Sequence, residues 1–107
     1  MLTRLRLSDF GQALATREKA REVDRYLVNL GSKGDCQLVL DFTGVSALSP
    51  SFADELLSVL AKHSCDLWVI GLADEIYQLL NSIAVRRSAR LERTDEASIE
   101  SLARRTG

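Results

Sequence analysis

The stretch from Asp41 to Glu55 gathers a carboxylate, two hydroxyls and two further acids around the chain's single proline. Asp41 ends a run of apolar residues; Ser49, Pro50 and Ser51 follow a short turn; Phe52, Asp54 and Glu55 begin an apolar-periodic segment. The pattern predicts a buried strand, a turn and a helix N-terminus. Unpaired backbone N–H groups and the positive end of the helix dipole collect there. A serine at such a place can cap the helix, meet a partner, or carry a phosphate that the N–H groups would stabilise. Proline suits the first helical position, where its missing N–H costs nothing. In that framing Ser49 is the N-cap and Ser51 lies inside the first turn. In the other, Ser51 is the cap and Asp54 stands three residues on, in a box-like position. Asp54 and Glu55 also read as first-turn acids that complement the dipole. Asp41 reads either as a polar orienter of the loop or as a carboxylate accepting loop N–H groups.

Other reactive residue types carry less. His63, the only histidine, follows Lys62 at a helix end, where a cation is favoured by the dipole. Cys36 and Cys65 lie in no Cys-x-x-Cys spacing and, with one histidine, leave a zinc site hard to assemble. Gly31-Ser-Lys-Gly34 follows a helix rather than a strand, unlike a phosphate loop. Arg86, Arg87, Arg90 and Arg93 make a basic cluster without interleaved aromatics, which reads as charge protecting an edge strand. Trp68 reads as core. Arg17 is placed against the dipole near a helix start. It therefore points to an anionic partner such as Asp41 or Asp54. The expectation is a non-enzymatic protein with no metal and no cofactor.

These residues need elements to position them. Thr3-Arg4-Leu5-Arg6-Leu7 alternates as an edge strand does, and Ser8-Asp9-Phe10-Gly11 breaks it. Ala20, Val23, Leu27 and Leu30 form the stripe of a helix from about Thr16 to Leu30, capped by Thr16 and stopped by Gly31. Gln37 to Phe42 and Leu67 to Leu72 read as strands covered on both faces. Between them, a helix from about Pro50 to His63 buries Phe52, Leu56, Leu57 and Leu60. Asp74 is expected to cap a third helix with the stripe Ile76, Leu79, Leu80 and Ile83. A weaker strand near Ser88 to Arg93 precedes a last helix capped by Thr94 or Asp95 and carrying Ile99 and Leu102. The order β-α-β-α-β-α-β-α predicts an α/β fold of about four mostly parallel strands with alternating helices. Its functional surface is expected beyond the strand C-terminal ends. The segment from Phe10 to Arg17, which leads into the first helix, should then emerge at the same edge as Ser49 and Ser51.

A chain of 107 residues with 46% hydrophobic residues and a net charge of −1 fits a single domain spanning 1–107. That charge creates no field favouring nucleic acid or an anionic membrane. No apolar run approaches a membrane span, and the N-terminus lacks a signal-peptide core. Two separated cysteines suit reduced thiols in the cytoplasm.

Leu40-Asp41-Phe-Thr-Gly44-Val-Ser-Ala-Leu-Ser49-Pro50-Ser51 resembles the strand-loop-helix centre of STAS domains, the anti-sigma factor antagonists. Ser51-Phe-Ala-Asp-Glu55 is closest to a STAS-like family of uncharacterised bacterial domains that carry Ser-Phe-Ala-Asp-Glu at this turn. The likeness covers roughly Gln37 to Val85. It implies a switchable adaptor whose regulatory partner, an ATP-binding anti-sigma-type kinase, phosphorylates the helix-start serine to break a complex. By position Ser51 takes the phosphorylatable place and Ser49 that of the family's aspartate, while Phe52 replaces a small glycine. The implied partner surface comprises Asp41, Ser49, Ser51, Phe52, Asp54 and Glu55, with Arg17 beside it. A constitutive adaptor and a small-ligand or nucleotide sensor are the alternatives.

Overall fold

The structure is a computed structural model that describes residues 2–29, 37–61, 66–87 and 91–106. The element order is β1 (Leu2–Arg6), a 3-10 turn (Leu7–Phe10), β2 (Ala13–Leu14), α1 (Arg17–Asn29), β3 (Gln37–Asp41), β4 (Ala47–Leu48), α2 (Pro50–Ala61), β5 (Asp66–Ile70), α3 (Asp74–Arg86), β6 (Glu92–Arg93) and α4 (Glu96–Thr106). Strands β1, β3, β5 and β6 form one sheet in that order, and every pairing is parallel. The α/β alternation and the four parallel strands agree with the sequence reading.

Because side chains alternate across a strand, each central strand feeds two cores. Leu38 and Leu40 of β3, with Leu67 and Val69 of β5, join the larger cluster; Phe52, Leu56, Leu57, Leu60, Leu80 and Ile83 of α2 and α3 complete it. Val39 and Ile70 turn the other way and meet Ile99 of α4, with Trp68 packed against them. This division follows from topology. Strands laid down in chain order require every crossover in the same direction, so a common hand puts α1, α2 and α3 on one face. The last helix covers the opposite face. Strand order nowhere reverses, so this sheet lacks the crevice that doubly wound sheets use for ligands.

Local chemistry sets the helix starts. Thr16 Oγ1 accepts the Lys19 N–H at 3.3 Å, and Asp95 Oδ1 accepts the Ser98 N–H at 2.8 Å. Asp95, not Thr94, is therefore the cap of α4, and this bond holds its carboxyl below the usual aspartate range. The expectation for α3 needs correction: Ala73 occupies the cap position with no side-chain bond, and Asp74 is the first helical residue. Asp74 instead pairs with Arg93 Nη1 at 2.8 Å. Trp68 is half-buried rather than enclosed, and its indole N–H donates to Glu92 Oε2 at 2.9 Å. His63, Cys36, Cys65, Arg90 and the Gly31–Gly34 loop lie outside the described residues. Among the described residues no helix is long and apolar enough to cross a membrane.

Two strands of two residues each were not expected from the sequence. Ala13–Leu14 pairs in parallel with Ala47–Leu48, forming a small second sheet between the lead-in to α1 and the lead-in to α2. Both segments leave the C-terminal ends of the main strands β1 and β3, so the two helix approaches do share one edge.

Candidate partner-binding site

The backbone prepares the start of α2 before any side chain acts. Ser46 N–H donates to Gln12 O and Ser49 N–H to Leu14 O, each at 2.9 Å. The Ser49 hydroxyl then works in both directions. It donates to Ala15 O at 2.8 Å and accepts the Phe52 N–H at 3.1 Å. Ser49 is the N-cap, Pro50 the first helical residue, and the alternative framing with Ser51 as cap is excluded. Ala53 N–H goes to Ser49 O at 3.0 Å. Ser51, inside the first turn, is exposed, and its hydroxyl has no hydrogen-bond partner among the described residues.

Phe52, expected on the partner surface, is a core residue with 0% of its surface exposed. It points into the larger cluster while its neighbour Ser51 faces solvent, as adjacent helical residues do. Phe52 therefore does not hide Ser51, and it presents no side chain to a partner in this conformation.

Asp54 and Glu55 lie beyond the first turn of α2, so the helix dipole is not their chief partner. Three guanidinium groups are. Arg17 Nη1 sits 3.4 Å from Asp54 Oδ2 and 3.3 Å from Glu55 Oε2, Arg21 Nε 3.5 Å from Glu55 Oε1, and Arg87 Nε 2.8 Å from Asp54 Oδ1. The cluster joins α1, α2 and the C-terminal end of α3. The Arg87 hydrogen bond, more than any other neighbour, holds the Asp54 carboxyl below its usual range, and Asp54 in turn raises Arg87. Exposed pairs of this kind contribute little singly, and more when several charges form a network as here. Ser51 shares the helix face of this cluster, since it stands three and four residues before Asp54 and Glu55.

Asp41 belongs elsewhere. Its Oδ1 accepts the Thr43 N–H at 2.9 Å and its Oδ2 lies 3.9 Å from Arg4 Nη1, on the sheet face that α4 covers. It is the carboxylate that holds the loop, and Arg17 pairs with Asp54 and Glu55 instead. Arg17 is legible in the sequence as an ion-pair partner, whereas Arg21 and the part played by Arg87 are not. Arg21 does stand one helical turn from Arg17, a spacing visible in the sequence. Two described members of the basic cluster are engaged within the fold: Arg87 turns to α2, while Arg93 donates to Leu72 O at 3.0 Å and lies 5.0 Å from the centre of the Tyr77 ring.

Among the described residues no group of three His, Cys, Asp or Glu side chains could hold a metal ion. No protein family, curated protein or solved structure matches the chain.

Proposed function

We propose that this chain is a non-enzymatic regulatory interaction module, STAS-like in the strand-loop-helix from Asp41 to Glu55, that meets a partner protein through the start of α2. Ser51 is the residue whose modification controls the contact. The observation that carries this reading is the division of labour between the two serines. Ser49 is consumed by structure on both its donor and its acceptor side, whereas Ser51, two residues on, is exposed and unpartnered among the described residues. A phosphate on Ser51 would add charge to a face where Asp54 and Glu55 are already opposed by three arginines, which offsets the repulsion between phosphate and carboxylate. Such a group changes the presented surface without requiring the fold to change. The family resemblance supplies the kind of partner, an ATP-binding kinase of the anti-sigma type.

The test is a comparative pull-down from the native host with wild type, Ser51→Ala and Ser51→Glu, together with mass spectrometry of the Ser51 peptide. A kinase-like partner held by wild type and Ser51→Ala but lost by Ser51→Glu supports the switch. The same partner held by all three leaves a constitutive adaptor. Thermal stabilisation by a nucleotide, with no protein partner, would replace both by a ligand sensor.

A further inference from the structure

We infer that α4 is a detachable cover on the second face of the sheet, held by an ionic latch between Arg4 and Glu96, and that it undocks as a unit while the rest of the chain stays folded. The two faces of the sheet are closed very unequally. On the first, α2 alone contributes Phe52, Ala53, Leu56, Leu57 and Leu60 to the buried cluster. On the second, α4 contributes Ile99 as its buried side chain among those described, with Leu102 half-buried beside it. Beneath them lie Val39, Ile70 and the half-buried Trp68. An 11-residue helix is marginal in isolation, so its persistence depends on what it docks against.

The latch is electrostatic. Arg4 Nη1 donates to Glu96 Oε1 at 2.8 Å, and Nη2 reaches Glu96 Oε2 to complete a two-pronged contact. Both side chains keep substantial exposure, 31% and 53%, so salt can screen the pair. A cleft bounded by Trp68, Glu92, Thr94, Ser98, Ile99 and Leu102 borders the contact between the helix and the sheet. Arg4 also faces Asp41, whose carboxylate fixes the turn leading towards Ser49. The latch and the approach to α2 thus share one residue. Segments with few buried apolar contacts open locally, below the free energy of global unfolding. Here the segment that would open is a whole helix, and opening exposes an apolar strip made of Val39, Trp68 and Ile70.

Hydrogen exchange on the full-length chain tests this. In wild type, backbone amides across 96–106 should exchange roughly tenfold or more faster than those across 50–61. Arg4→Gln leaves the sequence of α4 untouched and should accelerate 96–106 further while 50–61 changes little. High salt should do the same. Trp68, the only tryptophan, gives an independent readout: Ile99→Ala should increase its quenching by acrylamide while the signal of α1–α3 persists. Equal exchange rates in α2 and α4, rising in step with added urea, would show that α4 opens only on global unfolding and would overturn the proposal. So would an Arg4→Gln variant that accelerates both regions by the same factor. Neither readout involves Ser51 or a partner, so the result is independent of the regulatory reading.

Discussion

The hydroxyl of Ser49 lies 2.8 Å from the carbonyl oxygen of Ala15, and this contact joins the start of α2 to the approach of α1. Around it, the paired segments Ala13–Leu14 and Ala47–Leu48 tie the two helix approaches together through the backbone. The site is therefore built as one piece. Its structural serine and its exposed serine are separated by a single proline.

Replacing the two serines should have very different consequences. Ser49→Ala removes the helix cap and leaves the Ala15 carbonyl without its donor, which should cost about 1–2 kcal/mol. Ser51→Ala removes an exposed hydroxyl with no partner and should stay within about 0.5 kcal/mol of wild type. Urea denaturation of the two variants measures both. Equal losses would mean that Ser51 shares the capping work.

Gly71 follows β5 at φ +69°, and a Cβ built there would collide with Thr43 Oγ1 and stand 3.0 Å from Thr43 N and 3.1 Å from Asp41 Oδ1. The strand end thus sits directly against the turn that Asp41 holds. Gly71→Ala combines left-handed backbone strain with this collision, and should destabilise by about 2 kcal/mol or more. Gly44→Ala is the control. It has φ +88° but only ordinary contact with Ser8, so strain alone should cost about 1 kcal/mol. Thermal denaturation of the pair should rank them in that order.

Phe52 supplies a third check, because the interface reading and the core reading disagree about it. As a fully buried side chain it should lose about 3–5 kcal/mol on truncation to alanine, enough to threaten folding. Phe52→Leu, closer in volume, should fold and keep the start of α2 intact. Circular dichroism with urea titration separates these outcomes. A mild effect of Phe52→Ala would place the side chain at the surface.

What could be read from the residues follows from the range over which each interaction acts. Strands β3 and β5 were legible because their apolar runs are continuous. The Thr16 cap and the candidate caps at Ser49 and Asp95 were legible because a cap reaches only three residues along the chain. The β2–β4 pair was not, since two residues carry no period. Nor was the Arg87–Asp54 bond, whose partners are 33 positions apart and meet only after α3 docks beside α2. Phe52 belongs to the helix stripe by its spacing and to the partner surface by resemblance. The helical period was the better guide, because one side chain cannot fill the core and face a partner at once.

Asp54 makes the acid limb of stability a test of the cluster. Arg87 lowers its folded pKa below the ordinary unfolded value of about 3.9. The sign follows from proton binding. Above the unfolded pKa both states are ionised and the stabilisation is fully present. As pH falls through the depressed folded pKa, the native carboxylate protonates and the contribution is lost. Arg87→Gln should therefore lower stability by a constant amount near neutral pH, and the difference from wild type should shrink towards acid. Asp95, also depressed, keeps its Ser98 partner in both proteins and cancels in the comparison. Carboxyl NMR titration should place Asp54 closer to its ordinary value in the variant, with Arg17 still holding part of the shift. An unchanged Asp54 titration would mean that Arg17 alone sets its ionisation and that α3 is not tied to α2 through this pair.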